Sequence, residues 1–358
     1  MKIYYDNIIY FLQNSGGISR YWHELSMRLL ETDDARFIER LGACGNKVRE
    51  SFSIPSENII YEPDLPLIMS RYLPLSIDVE TPAVFHSSYY RDLTNKKIKK
   101  IITVHDFTYE HLFKGLRRLV HTTQKRHAVK NADGIICISE NTKRDLLRFF
   151  PKTPEERITV IHNGVSGGFT PSVRTRLELR NSLNLPDDTF TVFVGERGGY
   201  KNFETAVTAS AMSGCFLLIL GGKELNEKEK ILLEKHLKDR YRKFGFISND
   251  TMRDIYSVSL CLLYPSLYEG FGIPVLEAMK CGCPAIASNT SSLPESAGDG
   301  GVLVDEISPE GFSDAIDRLK RGGHRDEIVR KGFAHAAMFS WDRCFNETKA
   351  FYEKILSL

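Results

Sequence analysis

Two glutamates stand eight residues apart in the stretch 264–305, YPSLYEGFGIPVLEAMKCGCPAIASNTSSLPESAGDGGVLVD. Glu269 precedes and Glu277 follows the turn Gly270-Phe271-Gly272-Ile273-Pro274. That turn opens a helix, so free backbone N–H groups and the positive end of the helix dipole point at whatever lies in front. An anion or an array of sugar hydroxyls suits such a place. One carboxylate lies just before the turn and the other two turns into the helix, so one elongated ligand can meet Glu269 at one end and Glu277 at the other. A sugar nucleotide has those proportions. The spacing alone also fits an ordinary strand, turn and amphipathic helix.

Three further groups carry chemistry. In VGERGGYKNF a strand ends at Gly195, and Arg197 and Lys201 stand on the short connection into a helix. Two cations at the carboxyl edge of a sheet would neutralise a pyrophosphate and stabilise it as a leaving group, unless both are merely solvated. His105-Asp106 follows the apolar strand 100–104, again at a carboxyl end; a lone histidine there is either structural or a site residue. After the first strand, Gln13-Asn14-Ser15-Gly16-Gly17-Ile18-Ser19-Arg20 leads into a helix. Gly16 and Gly17 either let backbone approach a ligand or simply make a tight turn. This is not the G-x-G-x-x-G of a nicotinamide dinucleotide site. G-x-x-x-x-G-K-[ST] and the G-x-S-x-G elbow are also missing, which argues against a kinase, an ATPase or a serine hydrolase. No D-x-D occurs, so fixed positive charge must do the work that a divalent ion does elsewhere. No cofactor and no metal are expected.

The elements that must hold these residues follow from periodicity. Short β-rich runs alternate with helical patterns twice over, which predicts two parallel-sheet α/β units. Strands are expected at 2–5, 83–86, 101–104, 134–138 and 159–161, then at 191–194, 216–220, 241–244, 260–264, 284–287 and 301–304. Helices are expected to begin near Ile18, Leu116 and Asn141, and after Asn202, Asn226, Ser248, Phe271 and Pro309. The Gly- and Pro-rich HNGVSGGFTPSV marks the boundary, giving domains 1–166 and 172–340. Doubly wound units bind ligands at the carboxyl ends of their strands.

Composition agrees with a soluble globular chain of 358 residues, 42% hydrophobic and 26% charged. A net charge of +2 gives no case for a nucleic-acid partner. Residues 96–130 nevertheless hold ten Lys or Arg against Asp106 and Glu110, interleaved with Leu112, Phe113, Leu116, Leu119 and Val120. Such a basic amphipathic surface is either a solvated helix face or a contact for anionic lipid or a pyrophosphate-bearing acceptor. No run reaches transmembrane length, and MKIYYDNIIYFLQN reads as a first strand and not as a signal peptide. Seven scattered cysteines, with Cys281 and Cys283 a lone C-x-C, fit reduced cytosolic thiols.

The run from Glu269 to Asp305 resembles the E-x7-E signature of retaining glycosyltransferases of family 4, the group 1 glycosyltransferases. GGISRY, VHD, ISENTKRDL and HNG extend the resemblance over nearly the whole chain. It implies the GT-B fold, two Rossmann-like doubly wound domains facing across a cleft, with an acceptor-binding N-terminal domain and a nucleotide-sugar-binding C-terminal one. The helix 341–358 would pack back on the former. It also implies that Arg197 and Lys201 grip the donor diphosphate and that the Gly16-Gly17 loop overhangs it. Phe246, in the segment Phe246-Ile247-Ser248-Asn249-Asp250, would flank the nucleobase. His105 would lie near the reacting face of the sugar, Glu269 would hold sugar hydroxyls, and Glu277 would hold the ribose. The first half looks most like O-antigen and capsule mannosyltransferases. The expected donor is therefore GDP-mannose, or else a UDP-sugar, and the acceptor a glycan or lipid-linked oligosaccharide. The expected place is the cytoplasm, with peripheral membrane contact. A catalytically silent sugar-nucleotide-binding subunit is the alternative of another class.

Overall fold

The computed structural model describes residues 1–14, 16–245 and 247–358. The chain divides into two compact units, one of Met1–Asn163 with Trp341–Leu358 and one of Gly164–Ser340.

The first unit is built on strands β1 (Lys2–Asp6), β2 (Ala35–Glu39), β3 (Ile59–Tyr61), β4 (Ala83–Ser87), β5 (Lys99–Val104), β6 (Gly134–Cys137) and β7 (Ile158–Val160). They lie in the order β3-β2-β1-β4-β5-β6-β7, and every described pairing is parallel. Parallel pairing needs crossovers, and helices such as Gly17–Leu30 and Gly115–Asn131 provide them. The terminal helix Trp341–Leu356 belongs to this unit. It lies so close to β6 that a Cβ on Gly134 would come within 2.8 Å of Phe351. Tyr352 of that helix bonds Tyr5 on β1 and His86 on β4 through its hydroxyl, at 3.1 and 2.5 Å. Sequence reading missed β2 and β3.

The second unit has β8 (Phe190–Val194), β9 (Phe216–Leu220), β10 (Tyr241–Phe244), β11 (Cys261–Tyr264), β12 (Ala285–Ser288) and β13 (Val302–Val304), in the order β10-β9-β8-β11-β12-β13. Its central strands are apolar on both faces, as a sheet covered by helices on both sides requires. Phe193, Leu217, Ile219, Leu263 and Ile286 meet Phe203, Val207, Phe312 and Ile316 of the flanking helices in one buried core. Winding outward from β8 in one direction and from β11 in the other makes the β8/β11 boundary the point where strand order reverses. At such a point the loops on the two sides diverge and leave room for a ligand.

Candidate functional site

Lys201 and Glu269 emerge from the two strands at that reversal. After β8, Gly195 turns with φ +110, and a short helical turn Gly199–Lys201 ends in left-handed Asn202 (φ +52). The helix Phe203–Met212 follows. After β11, Leu267 donates its N–H to the Tyr200 carbonyl at 2.8 Å, which ties the two loops together. Lys201 Nζ then lies 2.5 Å from Glu269 Oε1 and 3.3 Å from the Tyr264 hydroxyl. Both charged side chains are largely buried, at 13% exposure each. Burial by itself would weaken the lysine's hold on its proton, but Tyr264 and Glu269 reverse this and raise it above the ordinary value. The site therefore carries a permanent cation and its carboxylate partner.

The turn after Glu269 is locked by close packing. Gly272 has φ +109, and a Cβ there would meet Ser296 Oγ at 2.8 Å and Leu293 at 2.9 Å, so only glycine fits. The helix Ile273–Lys280 starts directly behind it, with Pro274 in its first turn, where no N–H is needed. Gly270 is half-buried and Phe271 buried, its ring 5.7 Å from Phe339. Glu277 is buried just over one turn into this helix, and burial, helped by the Glu277 charge, raises the Tyr256 phenol.

Arg197 behaves differently from the sequence expectation. Its side chain is 3% exposed, with Nε 3.0 Å from Glu229. Its terminal nitrogens donate to the carbonyls of Gly221, Lys223 and Glu224 at 3.3, 2.5 and 3.2 Å. The guanidinium thus braces the loop after β9 and does not stand free beside Lys201. The cause is the loop itself: Gly221 and Gly222 both adopt positive φ, and their neighbourhood presents carbonyls that need donors. Phe246 lies outside the described residues, while Ser248 caps the next helix by accepting from the Thr251 N–H at 3.2 Å.

In the first unit, His105 follows β5 and is 8% exposed. Its ring meets Tyr21 edge-on at 4.9 Å, and its Nε2 has no hydrogen-bond partner. Burial, helped by the Lys125 charge and opposed by Asp106, brings it down to about 4, so it is a neutral imidazole with one nitrogen unbonded. Below it, Lys125 is fully buried and donates to the Asp106 carbonyl and to Glu110 Oε2, both at 2.8 Å. This corrects the basic face, because Lys125 and Glu110 form an internal pair and are not part of a surface. Leu116, Leu119 and Val120 are exposed as expected. Gly17 begins its helix in open space, while a Cβ on Gly16 would meet Gln13 Oε1 at 2.9 Å. Buried Asn46 holds this turn, donating to the Gln13 carbonyl at 2.5 Å and to Ser19 Oγ at 3.1 Å. Sequence patterns gave no sign of that asparagine.

Among the described residues no group of three or more His, Cys, Asp or Glu is arranged to hold a metal ion, and all seven cysteines are free. No described helix is long and apolar enough to cross a membrane.

Two doubly wound parallel sheets, with a cation and a carboxylate meeting at the reversal of the second, define a GT-B glycosyltransferase architecture, and comparison with known proteins agrees. Residues 15–166 match the profile of Glycosyltransferase Family 4 and residues 175–334 that of Glycosyl transferases group 1; the chain belongs to this family. It is 26% identical to O-antigen chain mannosyltransferase B of Escherichia coli, over 93% of this chain and 94% of that one. In fold it is similar to sucrose-phosphate synthase from Thermosynechococcus elongatus, with TM-score 0.77, 19% identity and coverage of 100% and 99% of the two chains. It is also similar to HepE of Anabaena solved with UDP and glucose, with TM-score 0.74, 16% identity and full coverage of both.

Proposed function

We propose that the chain is a retaining hexosyltransferase that moves a hexose, mannose from GDP-mannose in the first instance, to a glycan or lipid-linked acceptor in cell-surface polysaccharide synthesis. The observation that carries this reading is the Lys201–Glu269 pair at the strand-order reversal, 2.5 Å apart and in front of a helix start. As the nucleoside diphosphate leaves, its charge is met by Lys201 and the N–H groups of that helix. Glu269 binds sugar hydroxyls and favours the positive charge that grows on the sugar. Glu277 accepts from the ribose, and the amides of Phe271, Gly272 and Ile273 orient the hexose. Acceptor handling belongs to the first unit, with the Gly16-Gly17 turn and the neutral imidazole of His105. Fixed charge replaces a metal, in keeping with the missing D-x-D.

Mannose is favoured by the near full-length likeness to a mannosyltransferase. A UDP-sugar is the second reading, favoured by the UDP bound to a structural neighbour. The free cysteines, and the exposed apolar residues beside Arg117 and Arg118, support a cytoplasmic protein peripheral to the membrane. Thermal-shift measurements with GDP-mannose, UDP-sugars, GDP and UDP test the donor, since only a bound nucleotide raises the melting temperature. GDP-mannose and GDP should give the largest shifts, and product formed in excess EDTA should keep the anomeric configuration of the donor. An inverted product, or activity that needs added manganese, defeats the proposal.

A further inference from the structure

Both main-chain polar groups of Glu269 are held from outside its own turn. Its N–H donates to Ser291 Oγ at 3.0 Å, and its carbonyl accepts from Ser292 Oγ at 2.9 Å. The serines follow β12, so this clamp joins the carboxyl ends of neighbouring strands. Ser291 adopts φ +51, a left-handed conformation that a residue with a Cβ enters only at a cost. Ser292 is wholly buried. Leu293 and Ser296 of the same segment close against Gly272. A strained backbone persists where its surroundings over-determine it, and such positions gather at working sites.

The carboxylate end of Glu269 has a different tether, the ammonium of Lys201. Under the reading proposed above, Lys201 turns to the diphosphate when a donor binds, and that tether is lost at the moment the carboxylate must be in place. We infer that Ser291 and Ser292 are positioning residues that fix the Glu269 main chain, so that its carboxylate keeps its place beside the sugar after Lys201 has been drawn away. This inference rests on the role given to Glu269, and nothing in the sequence pattern announced it, since the partners are 22 and 23 residues apart.

Ser291→Gly provides the discriminating variant, because glycine relieves the left-handed backbone while removing the hydroxyl. Turnover is read as GDP released from GDP-mannose, or UDP from the UDP-sugar that the thermal-shift screen selects, alongside the melting temperature. Ser291→Gly should melt no lower than the parent protein yet lose at least about tenfold in kcat, with donor KM changed less than about threefold, the pattern of a geometric fault confined to the transition state. Ser291→Asn, which tolerates the conformation and restores an acceptor, should recover part of the loss. Ser292→Ala should also lower kcat. Glu269→Gln is the control. If it loses activity while the serine variants keep parental kcat, the clamp is overturned and the role of Glu269 stands. If Glu269→Gln turns over normally, that role fails and the clamp fails with it. A fall in kcat of Ser291→Gly that tracks a fall in melting temperature reduces the serines to ordinary structure and also overturns the inference.

Discussion

In both units the first and fourth strands of the unit lie side by side, and polar residues gather at their carboxyl ends, yet the charges there are used differently. In the first unit they satisfy one another. Arg91 lies 2.6 Å from Glu62 and 3.7 Å from Asp6, Arg40 bonds Glu62 at 2.8 Å, and Arg49 and Asn7 share Glu39 at 2.9 and 2.6 Å. Burial raises the Asp6 carboxyl above the usual range, although Arg91 and the bonds from Ser88 work against it. In the second unit Lys201 and Glu269 pair with each other at the corresponding place, while Arg197, on the same loop after β8, is held apart by Glu229 and the carbonyls after β9. The same winding therefore makes either a closed ionic lattice or a site with charge to offer, depending on whether the opposite charges interlock in a network or stand as one ion pair. A ligand can draw a charge away from one ionic partner more readily than from two.

The largest effect expected from this difference is on stability. Arg91→Met leaves Asp6 buried without its cation and Glu62 with Arg40 alone, and should cost about 3–5 kcal/mol, the usual penalty for breaking a buried pair. The only two tryptophans, Trp22 and Trp341, both lie in the first unit, so their fluorescence during urea unfolding follows that unit alone. A loss under about 1 kcal/mol would show that the lattice is open to water.

Acid should also separate the units. His23, His86, His105 and His121, the described histidines held below their ordinary value chiefly by burial, are all in the first unit. Unfolded, such a ring takes a proton near pH 6.5; folded, His105 and His121 do so only near 4. Stability thus falls as pH drops from 6.5 towards 4, by on the order of 3 kcal/mol for His105 alone. Tryptophan fluorescence should change at higher pH than the overall helical circular dichroism. Coincident transitions would contradict this.

On the donor side, Lys201→Ala should weaken GDP or UDP binding by about 1–3 kcal/mol while leaving the nucleoside unaffected. Arg197→Ala should weaken both alike, because it loosens the loop after β9. Calorimetry that finds Arg197→Ala selective for the diphosphate would return that residue to the role its sequence suggests. The smallest effect concerns the exposed basic face. Reversing Lys114, Arg117 and Arg118 to Glu should reduce sedimentation with anionic liposomes, at about 1 kcal/mol per residue at low salt, and spare donor binding. Parent protein that ignores such liposomes would make the face a solvated one.

What the sequence conveyed follows the same division. Most of the second unit's strands are apolar runs, the edge strand β10 (YRKF) being the exception, and the sequence places them within a residue or two. In the first unit, ARFIE and IIY carry charges or span only three residues in β3, so they lacked a readable period. The helix His324–Ala336 was also missed; Gly332 sits within it because Gly300 packs against that backbone, a Cβ on Gly300 falling 2.5 Å from Gly332 Cα. The loop positions of Lys201 and Glu269 and the helical position of Glu277 are legible because turn chemistry is local. The bracing by Arg197, the burial of Lys125 against Glu110 and the serine clamp were not, because each depends on which distant loop folds against which.

The terminal helix has a consequence for the order of assembly. Tyr352 completes hydrogen bonds to β1 and β4, and Phe351 and Ile355 cover Gly134, so the first unit lacks part of its interior until the helix Trp341–Leu356 has been made. The second unit is one uninterrupted segment, Gly164–Ser340. Domains form as their residues emerge during synthesis. On a ribosome the later-encoded unit can therefore finish first, while the earlier one waits, incomplete, for the helix Trp341–Leu356 to emerge.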